Sequence, residues 1–484
     1  MSTISLQAFQ PESEAKQLKG TMSTTEIVCS VLAFNGPFSV VTGYAPVIIG
    51  VGHTLGVPLI FLLCGVLFML FAVGFTTMGQ HLENPGAFYS YITAGLGKPA
   101  GLGGAFLALL AYLCIAIGVY AFAGYTIDLF LQQTLGMPAV SSWLFALALI
   151  GLVGVLGYFK IDLSAKVLTM VLAVEMVMIF AFNISTLVTG GAEGNTLAPL
   201  SFGSLEGANI GLAVLFCIVC FGGFEAAAIF HEEAANPSKT IPRATYLSII
   251  VMCLLYAVCS WVIVTAVGSS TVIEASLNDP AGTTLAAVGV ALGKTVQGMC
   301  NALLITSLFA CALSTHNVAT RYVYSLSVDG VLSKTFAKVH AKQGSPYKAS
   351  AIVTGISLVF TLCSFIGDVS VSKVYIAFAG IGAYALIFLM LLTGLAVIAY
   401  LHRRHDLNIG VFKCKIAPAL AALGMLIALV LGSMNFAMLI DGSEGVALIV
   451  MGLLYGLFLL GVGLGMHYRK HKPSIYSCIG RQLG

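Results

Sequence analysis

The chain has 484 residues, of which 59% are apolar and 8% charged, and its mean hydropathy is +1.00. A water-facing surface needs about a quarter of its residues charged, so the solvent here is largely lipid. A cytosolic enzyme, a secreted domain, a disordered chain and a nucleic-acid binder are excluded. The net charge of +3 is too small to argue for a polyanionic partner.

A helix crossing the hydrocarbon core needs about 20 apolar residues. The polar stretch 1–22 precedes the first such run, and no small-residue cleavage site follows that run, so no cleavable leader is expected. Twelve spans are expected, near 24–50, 56–80, 99–131, 140–159, 163–189, 207–231, 243–268, 287–323, 348–367, 373–401, 414–440 and 446–468. The third and eighth are long enough to require tilt or turns beyond the membrane. The runs are continuous rather than alternating, which excludes a barrel of strands. Most of the twelve cysteines lie in these runs, Cys29, Cys64, Cys253, Cys259 and Cys363 among them, and read as small hydrophobes. Cys217 and Cys220 are about one helical turn apart with no second pair near them, so packing is expected rather than metal binding.

Positive charge orients the spans. With the N-terminus in the cytoplasm, the two tails and the even-numbered connections hold 20 of the 22 basic residues, and only Lys294 and Lys373 fall on the other side. Both termini are therefore expected in the cytoplasm.

Two spans carry breakers at membrane depth. The first contains Asn35-Gly36-Pro37-Phe38, where proline removes a backbone donor. The sixth contains Phe221-Gly222-Gly223-Phe224-Glu225. Freed backbone groups persist in a membrane only against protein or a water-filled cavity. Interruptions at matching positions of two halves mark a carrier's central site, and spans one and six correspond if the first ten form two sets of five.

Three segments carry a resemblance. Asn84-Pro85-Gly86-Ala87-Phe88-Tyr89-Ser90-Tyr91 with Gly97 and Gly103-Gly104 is the first. Phe221–Glu225, Glu232-Glu233, Asn236-Pro237 and Thr240-Ile241-Pro242-Arg243-Ala244 form the second. The third comprises Arg321, Asp329-Gly330, Val331-Leu332 and Pro346. Together they resemble the amino acid–polyamine–organocation (APC) superfamily, of the amino acid permease type. The resemblance implies an all-α integral membrane fold of twelve transmembrane helices, with two inverted five-helix repeats of the leucine-transporter kind. The expected organisation is a cytoplasmic tail over 1–22, repeats over 23–190 and 191–405, two added helices within 406–468 and a cytoplasmic tail over 469–484. Asn236-Pro237 and Ile241-Pro242 are expected to stop the sixth helix and set the start of the seventh. Glu232 and Glu233 are expected either to pair with Lys239 and Arg243 as an inner latch or to form a solvated face.

The resemblance places substrate at the two breaks, on Asn35, Gly36, Pro37, Phe38, Phe221, Gly222 and Gly223. It adds Cys114 and Thr315 as pocket-lining positions. Many members carry a glycine-serine-glycine-like run where this chain has Asn35-Gly36-Pro37.

An ionisable group inside a membrane costs several kcal/mol and calls for an explanation. Glu225 follows the second break and is expected either to couple proton movement to transport or to cap freed backbone groups. Glu175 lies where some relatives carry a lysine that replaces a sodium ion, and reads as a proton or cation site or as an interhelical hydrogen bond. His316, in Leu313-Ser314-Thr315-His316-Asn317, reads as a proton relay or a packing residue.

The expected function is secondary active transport of an amino acid or related small amine across the plasma membrane, by alternating access with proton coupling or exchange. Sodium is the alternative ion, and a polyamine or organic-amine carrier is the alternative substrate reading. A channel would show a ring of like charges and an embedded enzyme a clustered reactive site. No cofactor or metal is expected, and the chain has no nucleotide-binding loop to take energy from ATP.

Overall fold

Each segment in lipid must close its own backbone hydrogen bonds, and helices do so. The computed structural model describes residues 22–82, 88–159, 165–232, 234–280, 282–340, 344–404, 407, 409–440 and 442–480. It contains helices and no strands among these residues, apart from an isolated bridge between Met22 and Ala234. Eleven helices are long and apolar enough to cross a membrane, and a bent pair supplies a twelfth crossing. The bent pair is the first span, Thr24–Asn35 with Pro37–Gly52, turning through 41°. Spans two to six are Val57–Gly79, Lys98–Leu135, Ser142–Phe159, Ala165–Thr189 and the interrupted Ile210–Ala228. Spans seven to twelve are Pro237–Val267, Lys294–Val328, Tyr347–Ile366, Val371–Arg403, Phe412–Met434 and Glu444–His471.

Two details differ from the expectation. The run 287–323 is not one helix. A short helix, Thr283–Leu292, ends where Gly293 takes φ +91°, and the eighth span starts at Lys294. Only glycine reaches that φ without strain. The seventh span begins at Pro237, the first helical position where a missing N–H costs nothing. It carries Pro242 inside its second turn.

The third span has 38 residues, about 57 Å of helix, against a hydrocarbon core of about 30 Å. It is central: 83% of its most apolar window is buried, against 17% for the twelfth span. Leu448, Ile449, Leu453, Leu459 and Leu460 of the twelfth span are exposed, as suits contact with lipid. The second span packs on the seventh, the third on the eighth and tenth, and the fourth on the ninth. A short helix, Phe88–Leu96, joins spans two and three and packs on the third and tenth. On the opposite face lie Val272–Asn278 and Thr283–Leu292.

The motif residues Asn84, Pro85, Gly86 and Ala87 lie outside the described residues, as do Glu233 and the side chain of Glu232. The latch expected of those carboxylates therefore lies outside them too.

Candidate functional site

The first helix stops at Asn35 because Gly36 takes φ +65° and its amide turns back to the Leu32 carbonyl at 3.0 Å. Pro37 opens the next segment at its first position. The Gly36 carbonyl, released from the first helix, accepts the Ser39 hydroxyl at 2.7 Å and the Ser39 and Val40 amides at 3.0 and 3.2 Å. The sixth span stops at Val219, and a 3₁₀ segment, Phe224–Glu232, resumes after the break. Of the two adjacent glycines only Gly223 has a positive φ, +101°. A Cβ there would fall 2.7 Å from the Phe34 ring, so the glycine lets the two broken spans touch.

One side chain joins the breaks. The Asn35 amide donates to the Cys220 carbonyl at 2.8 Å and to the Gly222 carbonyl at 2.6 Å, while its oxygen accepts from the Tyr256 hydroxyl of the seventh span. The two carbonyls are those that the interruption of the sixth span frees. They sit at the negative end of its first half, where donors are favoured.

Glu225 lies just past the break and is buried. One carboxyl oxygen accepts from the Tyr112 hydroxyl at 2.8 Å. The other accepts from the Gly223 amide at 2.9 Å. Glu225 thus ties the sixth span to the third and caps the break at once. Glu175 is also buried, and its carboxyl faces Ser307 and the Phe38 backbone, between spans one, five and eight. A Cβ on Gly36 would lie 3.1 Å from the same Ser307 hydroxyl, so this carboxyl adjoins the first break.

The remaining candidates sit differently. His316 is buried, with Nε2 2.9 Å from the Ser350 hydroxyl of span nine. Gly157 of span four packs beside both groups, which places His316 among spans four, eight and nine rather than at the breaks. Thr315 donates to the Cys311 carbonyl of its own helix at 2.8 Å. Cys114 is buried in the third span.

Aromatic packing closes both faces of the breaks. Towards the face of Val272–Asn278, Tyr375 stacks on Phe122 at 4.5 Å and 14°. Tyr44 meets Tyr375 edge-on at 5.8 Å. A shallow cleft above them is lined by Phe122, Tyr125, Asp279 and Tyr375. Towards the face of Phe88–Leu96, Phe221 stacks on Phe68 at 4.7 Å, and Phe224 meets Phe68 at 5.3 Å and Phe75 at 5.9 Å. Tyr112 and Tyr322 stack at 6.0 Å beside Glu225. The Tyr120 and Tyr375 hydroxyls are buried without a hydrogen-bond partner among the described residues, and both lie near Cys311.

Sequence reasoning missed Tyr112, Tyr256, Tyr120 and Tyr375. Each is a phenol in a strongly apolar helix, and a buried tyrosine hydroxyl usually finds a partner. That was the available signal. The second-span column was legible as Phe61, Phe68 and Phe75, recurring every seven residues.

A family model described as amino acid permease matches residues 20–458. The low-affinity putrescine importer PlaP of Escherichia coli (strain K12) is 21% identical, over 72% of this chain and 76% of the importer. The branched-chain amino acid permease BcaP of Bacillus subtilis (strain 168) is 22% identical, over 88% of this chain and 89% of the permease. The aspartate-proton symporter of the same Bacillus strain is 24% identical, over 62% of this chain and 59% of the symporter.

Proposed function

Because the chain belongs to the amino acid permease family, we propose that it is a plasma-membrane secondary transporter working by alternating access around the two helix breaks, with both termini in the cytoplasm. Its cargo is an amino acid. The observation that carries the reading is Asn35, which closes both broken spans with one amide. A site held by two interrupted helices changes shape when either half-helix tilts, because the breaks carry no continuous hydrogen-bond ladder.

The pairing of spans two with seven, three with eight and four with nine supports two inverted five-helix repeats over 23–190 and 191–405. Spans eleven and twelve, within 406–468, are additions to that core. Pro37 has no N–H and the Gly36 amide is turned onto Leu32, so the donor at the positive start of this half-helix is the Phe38 amide, which faces the Glu175 carboxyl and suits an anionic oxygen. The unpartnered Tyr120 and Tyr375 hydroxyls are donors for the rest of the cargo.

Glu225 is the proposed coupling group. Ionised, it accepts from both Tyr112 and Gly223. Protonated, its carboxyl O–H donates to the Tyr112 oxygen while the other oxygen still accepts from Gly223, so the bond to Tyr112 reverses, both bonds lose their charge assistance and the hold on the break weakens. A differential interaction of this kind is what a proton needs to shift a two-state equilibrium. Glu175, beside the first break, is the second candidate. The aspartate-proton symporter among the relatives supports protons as the coupling ion.

A polyamine or other organic-amine carrier is the second reading, favoured by the putrescine importer among the relatives. Uptake into liposomes decides between them. Labelled leucine, lysine, aspartate and putrescine are supplied with and without proton and sodium gradients. Accumulation of an amino acid under a proton gradient is expected. Uptake of putrescine alone would replace the first reading with the second, and no uptake of any would remove both.

A further inference from the structure

Beyond the last span the chain does not trail away from the molecule. The twelfth helix ends at His471, Lys472 turns the chain, and a short helix, Pro473–Cys478, folds back. The Lys98 ammonium, at the start of the third span, donates to the Tyr476 carbonyl at 2.9 Å and the Ser477 carbonyl at 2.7 Å. It also lies 5.3 Å from the centre of the Tyr476 ring. Ile479 is 1% exposed, an apolar anchor in a segment whose other residues are exposed or half-buried. The Gly480 amide donates to the Tyr89 hydroxyl at 2.9 Å. The Tyr89 hydroxyl donates in turn to Asp329, at the end of the eighth span, at 2.7 Å.

Residues 473–480 therefore reach three elements at once: the helix Phe88–Leu96, the start of the third span and the end of the eighth. Two of these contacts fall on Tyr89 and Asp329, motif residues that the transport site leaves unused. The helix Phe88–Leu96 bears on the gate. Tyr91 lies face to face with Phe75 at 4.2 Å and 10°, and Phe75 meets Phe224, the neighbour of Glu225, at 5.9 Å. Phe75, Tyr91 and Ala228 line one cleft on this face. Opening that face requires Tyr91 and Phe75 to part from the second half of the sixth span. The C-terminal segment holds the helix that carries Tyr91.

We propose that residues 473–480 form an autoinhibitory strap that, when docked, keeps the cytoplasmic face of the transporter closed. The strap rests on the alternating-access reading. Docked, it fixes Phe88–Leu96 through Gly480, Ile479 and Lys98. Released, it frees that helix to move with the aromatic column and uncovers the cleft at Ala228.

The test uses the full chain and reads a chemical rate, not transport. Ala228→Cys reports opening through its rate of maleimide labelling from the cytoplasmic face, measured over the background of the parent. A Cβ on Gly480, which takes φ +79°, would lie 2.9 Å from the Thr93 Cβ, too close for a side chain while the strap is docked. Gly480→Val in the Ala228→Cys background should therefore speed labelling about fivefold, and Ile479→Asp, which cannot stay buried unpaired, should do the same. Labelling no faster than the parent in both variants, when all are folded, overturns the strap. Substrate uptake by the parent tests the transport reading alone, so the two can fail separately.

Discussion

At the scale of single residues, Asn35 and Glu225 differ in kind. Asn35 has both side-chain polar atoms engaged inside the protein. Asn35→Leu leaves two buried carbonyls unpaired, and each unpaired buried group costs about 1–3 kcal/mol. The expected outcome is a lower melting temperature in detergent together with lost binding. Unchanged melting would mean that the bridge does not hold the breaks. Glu225 is held by two donors and reverses its bond to Tyr112 by taking a proton. Glu225→Gln keeps the size and, like the protonated acid, can donate to the Tyr112 oxygen and accept from Gly223, but it cannot titrate. Binding should stay within about tenfold, roughly 1.4 kcal/mol, while uptake becomes flat over about pH 5.5 to 8. A cap without a coupling role would leave the pH profile of the parent intact in Glu225→Gln, and the coupling role would then pass to Glu175. Gly222 and Gly223, equivalent as letters, separate here as well. Only Gly223 combines a positive φ with contact on Phe34. Gly223→Ala should destabilise by at least about 1–2 kcal/mol, measured against Gly222→Ala as its neighbour.

At the scale of elements, small residues decide how closely helices cross. A Cβ on Gly461 of the twelfth span would lie 2.6 Å from the Gly103 Cα of the third span, whereas one on Gly463 meets nothing within 4 Å. Backbone cannot yield as a side-chain tip can, so Gly461→Ala must push the helices apart. Overpacking of this kind costs about 1–3 kcal/mol. Thermal unfolding in detergent should show a lower midpoint for Gly461→Ala and none for Gly463→Ala. Equal midpoints would mean that the twelfth span contributes nothing to stability. The aromatic column of the second span works the opposite way, filling space with large rings where the sixth span has lost its regular helix.

At the scale of the molecule, orientation is the property most exposed to test. Phe202, in the connection before the sixth span, is 76% exposed, and Val339, after the eighth, is 46% exposed. An impermeant thiol reagent on intact cells should label Phe202→Cys and spare Val339→Cys. The reverse pattern would invert the topology and with it the assignment of the strap to the cytoplasmic face. Ser276 and Ser345, polar and in connections, look equally suitable by sequence but are buried at 1% and 0%.

Twelve crossings were legible from hydropathy alone, because lipid forces each span to be long, apolar and internally hydrogen-bonded whatever its neighbours do. The two breaks were legible for the same reason: Gly36-Pro37 and Gly222-Gly223 violate that rule locally. Family membership was legible from motifs in the loops. The partners of the breaks were not. That Asn35 reaches Cys220 and Gly222, that Tyr112 meets Glu225, and that His316 faces Ser350 depend on contacts between residues 34 to 187 positions apart. Helical periodicity says nothing about such distances, and in a chain that is apolar on all sides it hardly marks which face turns inward. The docking of residues 473–480 is the extreme case. A short segment between Lys472 and Arg481, past the last apolar run, reads as a free tail, and only tertiary packing supplies the Lys98 donors, the Tyr89 hydroxyl and the apolar recess for Ile479 that bind it.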